Sequence, residues 1–439
     1  MTLSTKFYIT RILKQLANLN LAISLLATIG VVIALGTFIE QDQTLTFYKE
    51  NYPIENSILG FINWHFITFL QLNTIYTNFW FLTLLAIFGA SLLACTYTTQ
   101  IPSLKKFRLW EFVQSSKRFQ TFQLCSRLPT NRTSISTHHL HSGNYHVFRQ
   151  GKKIYAYSGL LGRIGPILVH FSILLVLLGS SAGALGGYTV QEVVPRGEVF
   201  HVQNFIKYGK LTRIPQTTAW RVNDFWVTYT DEFKVKQFYS DLSVLSTHGS
   251  ELKRKIIFVN EPLVYNRVSI YQTDWDILGI KVQKDERTTA QIPLKKVSKS
   301  GRNFWLGSFS LGDLTPNNLN VLLNDLTGNI YLYDSKGELI AKTKLGARIK
   351  QNQALNLIFT EFLTTTGLQI KEDPGLQTVY LSFFLLIVSI YISFFSYSQV
   401  WSVEESGSLM IAGKANRAVL AFQEEFKRIL KKIDGKRVN

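Results

Sequence analysis

Residues 162–188 read GRIGPILVHFSILLVLLGSSAGALGGY. The stretch is apolar enough, and long enough, to cross a bilayer as a helix. One ionisable residue lies inside it: His170, five residues past Gly165 and so about 8 Å into the span at helical rise. At that depth every polar group must be hydrogen-bonded or ligate something, which makes an intramembrane imidazole a candidate functional group by default. Going round the helix at about 100° per residue, Ile173, Leu174, Leu177 and Ser181 share the face of His170. Ser172, Gly179 and Gly183 fall opposite, and Gly179–Gly183 is a small-xxx-small pair that lets another helix approach closely.

Outward from this stretch the hydropathy pattern predicts an integral membrane α-helical protein with four spans and a large inserted β-rich extramembrane domain. The expected organisation is a membrane hairpin at 1–97 (spans 17–38 and 78–97, with an interfacial stretch at 57–72) and a basic loop at 98–163. A third span at 164–187, a β-rich domain at 188–375, a fourth span at 376–397 and an amphipathic tail at 398–439 follow. The first apolar run has the length of a full span rather than of a signal-peptide core, so no cleaved targeting segment is expected.

The chain has 439 residues, 46% of them hydrophobic, and a formal net charge of +18. The basic residues flank the spans. Lys105, Lys106, Arg108, Lys117, Arg118, Arg127, Arg132, Arg149, Lys152 and Lys153 stand against Glu111 alone in the loop after the second span. By the positive-inside rule that loop, the N-terminus (Lys6, Arg11, Lys14) and the tail (Lys427, Arg428, Lys431, Lys432, Lys436, Arg437) share the cytoplasmic or stromal side. The first loop, with Glu40, Asp42, Glu50 and Glu55, and the β-rich domain belong on the other side. Membrane topology therefore accounts for the charge, and no aromatic-plus-basic nucleic-acid motif accompanies it.

The β reading of 188–375 rests on short β-branched and aromatic runs at 225–230, 255–259, 269–272, 279–282 and 329–333, separated by turn signals. They imply a sandwich or irregular barrel. The domain has no Walker loop, dinucleotide fingerprint or nucleophile elbow, and His201 and His248 read as loop residues. Cys95 and Cys125 form no CxxC, which excludes thiol–disulfide exchange, and no CxxCH is present. His138, His139, His141 and His146 have a spacing that can bind a transition metal, but a polar hairpin between strands explains them equally well. His65 reads as an interfacial side chain. The tail helix at 415–433 carries a stripe of Val419, Phe422, Phe426 and Ile429 suited to the membrane surface or a partner helix.

The other spans hold no charged residue in their interiors, which argues against an ion-coupled transporter. With no catalytic dyad, triad or metal–thiolate set, an autonomous enzyme is not expected. Imidazole ligates haem iron. None of the other spans carries a histidine, so a haem bound at His170 would take its second axial ligand from another protein. The alternative stays open at this point: His170 hydrogen-bonds a backbone carbonyl or a serine within the bundle.

The chain resembles the ResB/CcsB family of system II cytochrome c biogenesis proteins in its cyanobacterial and plastid form. The likeness lies in NLNLAISLLATIGVVIALGTFIEQ (18–41), in 59–110 with FWFLTLLAIFGASLLACTYTTQIPSLKKFRLW at its heart, and in VHFSILLVLLGSSAG (169–183). It extends through SDLSVL (240–245), FVNEPLVYNRVSIYQTDW (258–275), EDPG (372–375) and IAGKANRAVLAFQEEF (411–426). The resemblance implies a non-enzymatic assembly subunit that acts with a CcsA-type membrane partner to deliver haem and attach it to apocytochromes c, cytochrome f among them. It implies that His170 is the haem-iron axial ligand, and it gives His65 no such role. It also implies a thylakoid membrane of chloroplast or cyanobacterium, with both termini stromal and the β-rich domain lumenal.

Overall fold

In the computed structural model, residues 3–434 are described except for 56, 58–59, 108–111, 114–115, 129–132, 216–217, 232–233, 285–287, 300–301, 311–317, 352–354 and 406. Of the charges counted above, Arg108, Glu111, Arg132, Lys436 and Arg437 lie outside the described residues, as do the side chains of Lys6, Lys105, Lys106 and Lys117. The chain divides into two compact units, residues 1–181 with 375–439, and residues 182–374.

The first unit begins with helix α1 (Leu3–Leu16) and helix α2 (Leu19–Phe38), parted by Asn18, whose side chain caps α2 by accepting from the Asn20 amide at 2.9 Å. Helix α3 (Phe79–Cys95) is capped in the same way by Asn78 and runs through one π turn, Thr96–Gln100, into helix α4 (Ile101–Phe107). Pro102 explains the widened turn, because it has no amide to give the Thr98 carbonyl and its ring crowds that oxygen. Helix α5 (Leu161–Gly186) and helix α6 (Leu376–Ser393) complete the set. Four helical stretches, Leu19–Phe38, Phe79–Leu104, Leu161–Gly186 and Leu376–Ser393, are long and apolar enough to cross a membrane. Their side chains are mostly uncovered by protein, as expected for helices whose solvent is lipid.

Helix α5 lies between α3 and α6. On one side Gly89 of α3 lets Leu174 and Leu177 approach to 3.6 Å from where its Cβ would be. On the other, a Cβ at Gly165 would stand 2.5 Å from the Ser393 Cα, and one at Gly179 would stand 2.9 Å from the Val379 side chain. Gly179 thus serves helix approach as its spacing suggests. The tighter crossing is at Gly162 and Gly165, whose neighbours are the backbone of Phe395 and Ser393.

The interfacial stretch expected at 57–72 is broken into a helix Trp64–Phe69 and a 3₁₀ turn Leu72–Thr77. With the helix Leu45–Asn51 it folds over the ends of α2 and α3 and buries Tyr48, Tyr52, Ile67, Leu72 and Ile75 in one core with Ile29, Phe81 and Phe88. Two polar clamps hold it. Gln41 donates to the Ile39 and Leu72 carbonyls at 2.8 and 2.9 Å and accepts from the Ile75 amide at 3.1 Å. Tyr52 donates its hydroxyl to the Glu40 carboxylate, and Tyr48 to the Glu40 carbonyl. That contact holds the Glu40 carboxyl below its usual range, while burial, and then Glu40, push Tyr52 up to about 12.

The basic loop and the tail, expected as separate segments, form one small domain. Its five-stranded antiparallel sheet runs in the order Leu124–Leu128, Ser408–Ala415, Ser398–Glu405, Lys153–Ser158, His146–Gln150. Helix α7 (Val419–Asp434) lays Phe422, Phe426, Ile429 and Ile433 on this sheet. The stripe read as membrane- or partner-facing is therefore covered by the chain's own strands, and only Val419 of it stays exposed. The histidine-rich segment is likewise not a hairpin: Thr133–Ser142 is helical and packs Leu140 into the same core.

The second unit contains three sheets in which every described pairing is antiparallel. The runs expected at 269–272 and 279–282 belong to one strand, Val268–Lys284, paired along Leu355–Glu372 with register shifts at Gln272/Asp274, Ile277/Gly279 and Lys281/Val282. These two long strands serve two cores. One is built around Trp220, Leu242, Val244, Ile270 and Ile370; the other around Ile280, Trp305, Val321, Leu332 and Phe359.

Two outcomes are expected of this packing. Gly165→Ala forces a methyl into the Ser393 backbone and should cost about 1–3 kcal/mol, read as a lower thermal midpoint in detergent and easier proteolysis between α5 and α6. Because Glu40 is held below its ordinary value, its contribution is present above that value and lost as pH falls through the lowered one. Glu40→Gln should therefore speed hydrogen exchange across 39–77 at neutral pH, with wild type and variant converging in acid.

Candidate functional site

The intramembrane imidazole lies one turn beyond Pro166 on α5, opposite the π turn that ends α3. Its Nδ1 is 3.0 Å from the Thr96 hydroxyl, and that hydroxyl donates its own proton to the Leu92 carbonyl at 2.8 Å. With its proton on the Leu92 carbonyl, the Thr96 oxygen is left to accept, an arrangement that favours the tautomer with the proton on Nδ1 and the lone pair on Nε2. The Gln100 amide nitrogen lies 3.2 Å from Nε2 and 3.3 Å from Nδ1, and it donates to the lone pair. The other end of that amide, Oε1, is buried without a partner. The two holds on the ring are thus unequal. Thr96 is locked into the helix ladder, whereas Gln100 reaches the ring through a single bond and leaves its carbonyl unsatisfied.

Thr96 and Gln100 were not singled out in the sequence, where they fall at the boundary between an expected span and the basic loop. The signal that finds them is Pro102. A proline seven residues past Cys95, in an apolar helix that nevertheless continues, predicts a disrupted turn whose freed backbone gathers polar groups.

Further along the same two helices, from Phe171 onward, α3 and α5 flank an apolar cleft of about 490 Å³ lined by Ala86, Gly89, Ala90, Phe171, Leu174 and Leu178 among others; His170 itself is not in its lining. The small residues of α3 create its width. The cleft, the oriented nitrogen and the polar turn lie within one bundle and suit an apolar ligand that carries one group able to accept a nitrogen lone pair.

The remaining histidines are not gathered around His170. His65 is exposed beside the Trp64 ring. His138 and His139 have ring centroids 5.6 Å apart, burial depresses the His139 pKa, and His146 lies against Tyr157. His201 and His248 are exposed in the second unit. Among the described residues no group of three or more His, Cys, Asp or Glu side chains is placed to hold a metal ion. Cys95 and Cys125 are free thiols.

Four helices long and apolar enough to cross a membrane, a polar turn where two of them meet and a β domain inserted between the last two define a class of helical protein that carries a large β-rich module. The ResB-like family matches residues 19–324 and 322–427, and the chain belongs to that family. It is 65% identical over 433 residues to the cytochrome c biogenesis protein Ccs1 of Emiliania huxleyi, covering 99% of this chain and 98% of that one. Proteins of the same name in Rhodomonas salina and Trieres chinensis are 41% and 40% identical over 432 and 420 residues, covering 98% and 96% of this chain and 98% and 99% of theirs.

The tautomer is open to direct measurement. In protein labelled with ¹⁵N-histidine, the His170 ring should show a protonated Nδ1 and an unprotonated Nε2. Thr96→Val should abolish that pattern and, by stranding a buried N–H, cost about 1–3 kcal/mol of stability. A wild-type ring protonated at Nε2 would refute the assignment.

Proposed function

We propose that the chain is a membrane assembly subunit of cytochrome c biogenesis, the process for which its relatives are named, and that it acts where haem is delivered and attached to apocytochrome c. The observation that supports this reading is the setting of His170 between Thr96 at Nδ1 and the Gln100 amide at Nε2: with the proton on Nδ1, the Nε2 lone pair is available to iron once the Gln100 amide moves aside. Haem is here a cargo. It brings an iron centre that accepts imidazole and an apolar macrocycle for which the α3–α5 cleft supplies apolar walls.

No other membrane-length helix of this chain contains a histidine. The second axial ligand is therefore assigned to a partner, a CcsA-type membrane protein, and the chain is not an enzyme by itself. The clients are apocytochromes c, cytochrome f among them. The setting is a thylakoid membrane, with the sheet domain and both termini on the stromal side and residues 182–374 on the lumenal side, as the basic flanks require.

A second reading has a specific observation behind it. Both ring nitrogens of His170 have partners within the chain, as they would in a scaffold that stabilises the partner or holds apocytochrome without touching haem.

The two separate on His170→Ala. Under the haem reading this variant accumulates in the membrane but yields no haem-stained c-type cytochromes, and the purified complex loses its Soret band. Exogenous imidazole restores function to His170→Gly. Normal levels of cytochrome f together with an unchanged Soret band would establish the scaffold instead.

A further inference from the structure

A second cavity, about 210 Å³, opens between the π turn, the first turns of α5 and the loop that leads into α7. Its lining is more polar than that of the α3–α5 cleft. Its walls carry two guanidinium groups, Arg163 and Arg417, the amides of Gln100 and Asn416, and the hydroxyl of Ser103, and no carboxylate is among the lining residues. Several of these groups are held in place. Arg163 stacks on the Tyr397 ring at 4.9 Å, and Arg417 donates to the Ser393 carbonyl and hydroxyl. The Asn416 side-chain oxygen accepts from the Tyr397 amide at 2.8 Å, which leaves its nitrogen as a donor. Two preorganised forks with neutral donors, beside the N-terminal end of a long helix, have the chemistry of a carboxylate site.

The cavity adjoins the imidazole. Gln100 lines it and also donates to His170 Nε2. Arg163 precedes His170 by seven residues in α5, so the two share a helix face about 10 Å apart along the axis. A metalloporphyrin has its metal at the centre and two carboxylates on flexible arms along one edge. We propose that this cavity takes the carboxylates of the same haem whose iron meets His170, so that Arg163 and Arg417 select which edge of the haem faces the side bearing the termini. The proposal rests on the haem reading of His170.

The test uses the full-length protein in phosphatidylcholine nanodiscs, titrated with haemin and with its dimethyl ester, which has the same macrocycle and metal but no carboxylate charge. Wild type should bind haemin about ten-fold more tightly than the ester, the scale of one charge-assisted contact. Arg163→Gln with Arg417→Gln should erase that preference by weakening haemin alone. Because Arg417 also caps α6, Ser103→Glu provides an independent variant: it sets a carboxylate in the cavity without removing either guanidinium and should erase the preference as well. Equal affinities in wild type, or a preference that survives both variants, would overturn the proposal. So would anionic phosphatidylglycerol whose retention depends on the arginines while haemin binding does not, since the cavity would then belong to a lipid phosphate. The His170→Ala spectrum is judged separately. If it matches wild type, the iron-ligand reading fails, whereas the haemin–ester comparison still decides the cavity.

Discussion

An imidazole packed between apolar helices needs a partner for each nitrogen that is shielded from water. Before Thr96 the hydroxyls of helix α3 are already committed, Thr83 to the Phe79 carbonyl of its own ladder and Ser91 to the Leu16 carbonyl of α1. From Thr96 on, Pro102 widens the helix by one π turn, and the same turn brings both Thr96 and Gln100 to the ring. The arrangement holds only if α5 is kept close to α3. Gly89 permits that on one side, and the Gly162 and Gly165 crossing with α6 backs it on the other. A proline and three glycines, none of them able to touch a ligand through a functional group, thus decide which side chains meet the two nitrogens of His170.

What was legible in the sequence is what a single segment determines by itself. The four apolar helices, the β-branched runs of the second unit and the lone intramembrane histidine all declare themselves locally. The small sheet domain does not, because its strands come from 124–158 and from 398–415, and no local signal pairs segments so far apart. Its central strands also lack alternation. Val400, Leu409 and Ile411 face the helices on one side, while Tyr155, Trp401, Val403 and Ala412 pack with Phe119 and Val113 on the other. A strand covered on both faces reads as a continuous apolar run, and next to a membrane span such a run resembles an interfacial belt. The stripe on α7 was rightly seen to need cover, but the sequence did not say that the cover was the chain's own sheet.

Three polar residues of the motifs that carry the family resemblance in the second unit, Ser240, Asp241 and Gln272, are buried and paired across the sheets. In SDLSVL, Asp241 is buried and takes a bidentate contact from Arg254, while Ser240 meets Gln272 at 2.5 Å and Thr366 at 2.9 Å. Gln272 belongs to the IYQTDW run and sits at the register shift where the long strands pass from one core to the other. A buried, fully paired polar cluster at a bulge fixes register where apolar packing alone would tolerate a slip. This explains why a β-rich module with no recognisable chemistry still carries distinctive polar residues.

The unequal holds on His170 bear on how a site of this kind stays ready without a ligand. An unsatisfied imidazole nitrogen in the bundle would invite the ring to turn or the helices to shift. An amide that satisfies it too well would compete with any incoming metal. Gln100 avoids both extremes. It occupies Nε2 through one neutral bond, and its own carbonyl is left buried and unpaired, so withdrawing it forfeits little. The polar cavity that Gln100 also lines gives the displaced amide donors to turn toward. Thr96 has no such freedom, because moving it would break its bond to the Leu92 carbonyl as well. The ring is therefore held at Nδ1 by a hydroxyl locked into the helix ladder and covered at Nε2 by an amide that can withdraw.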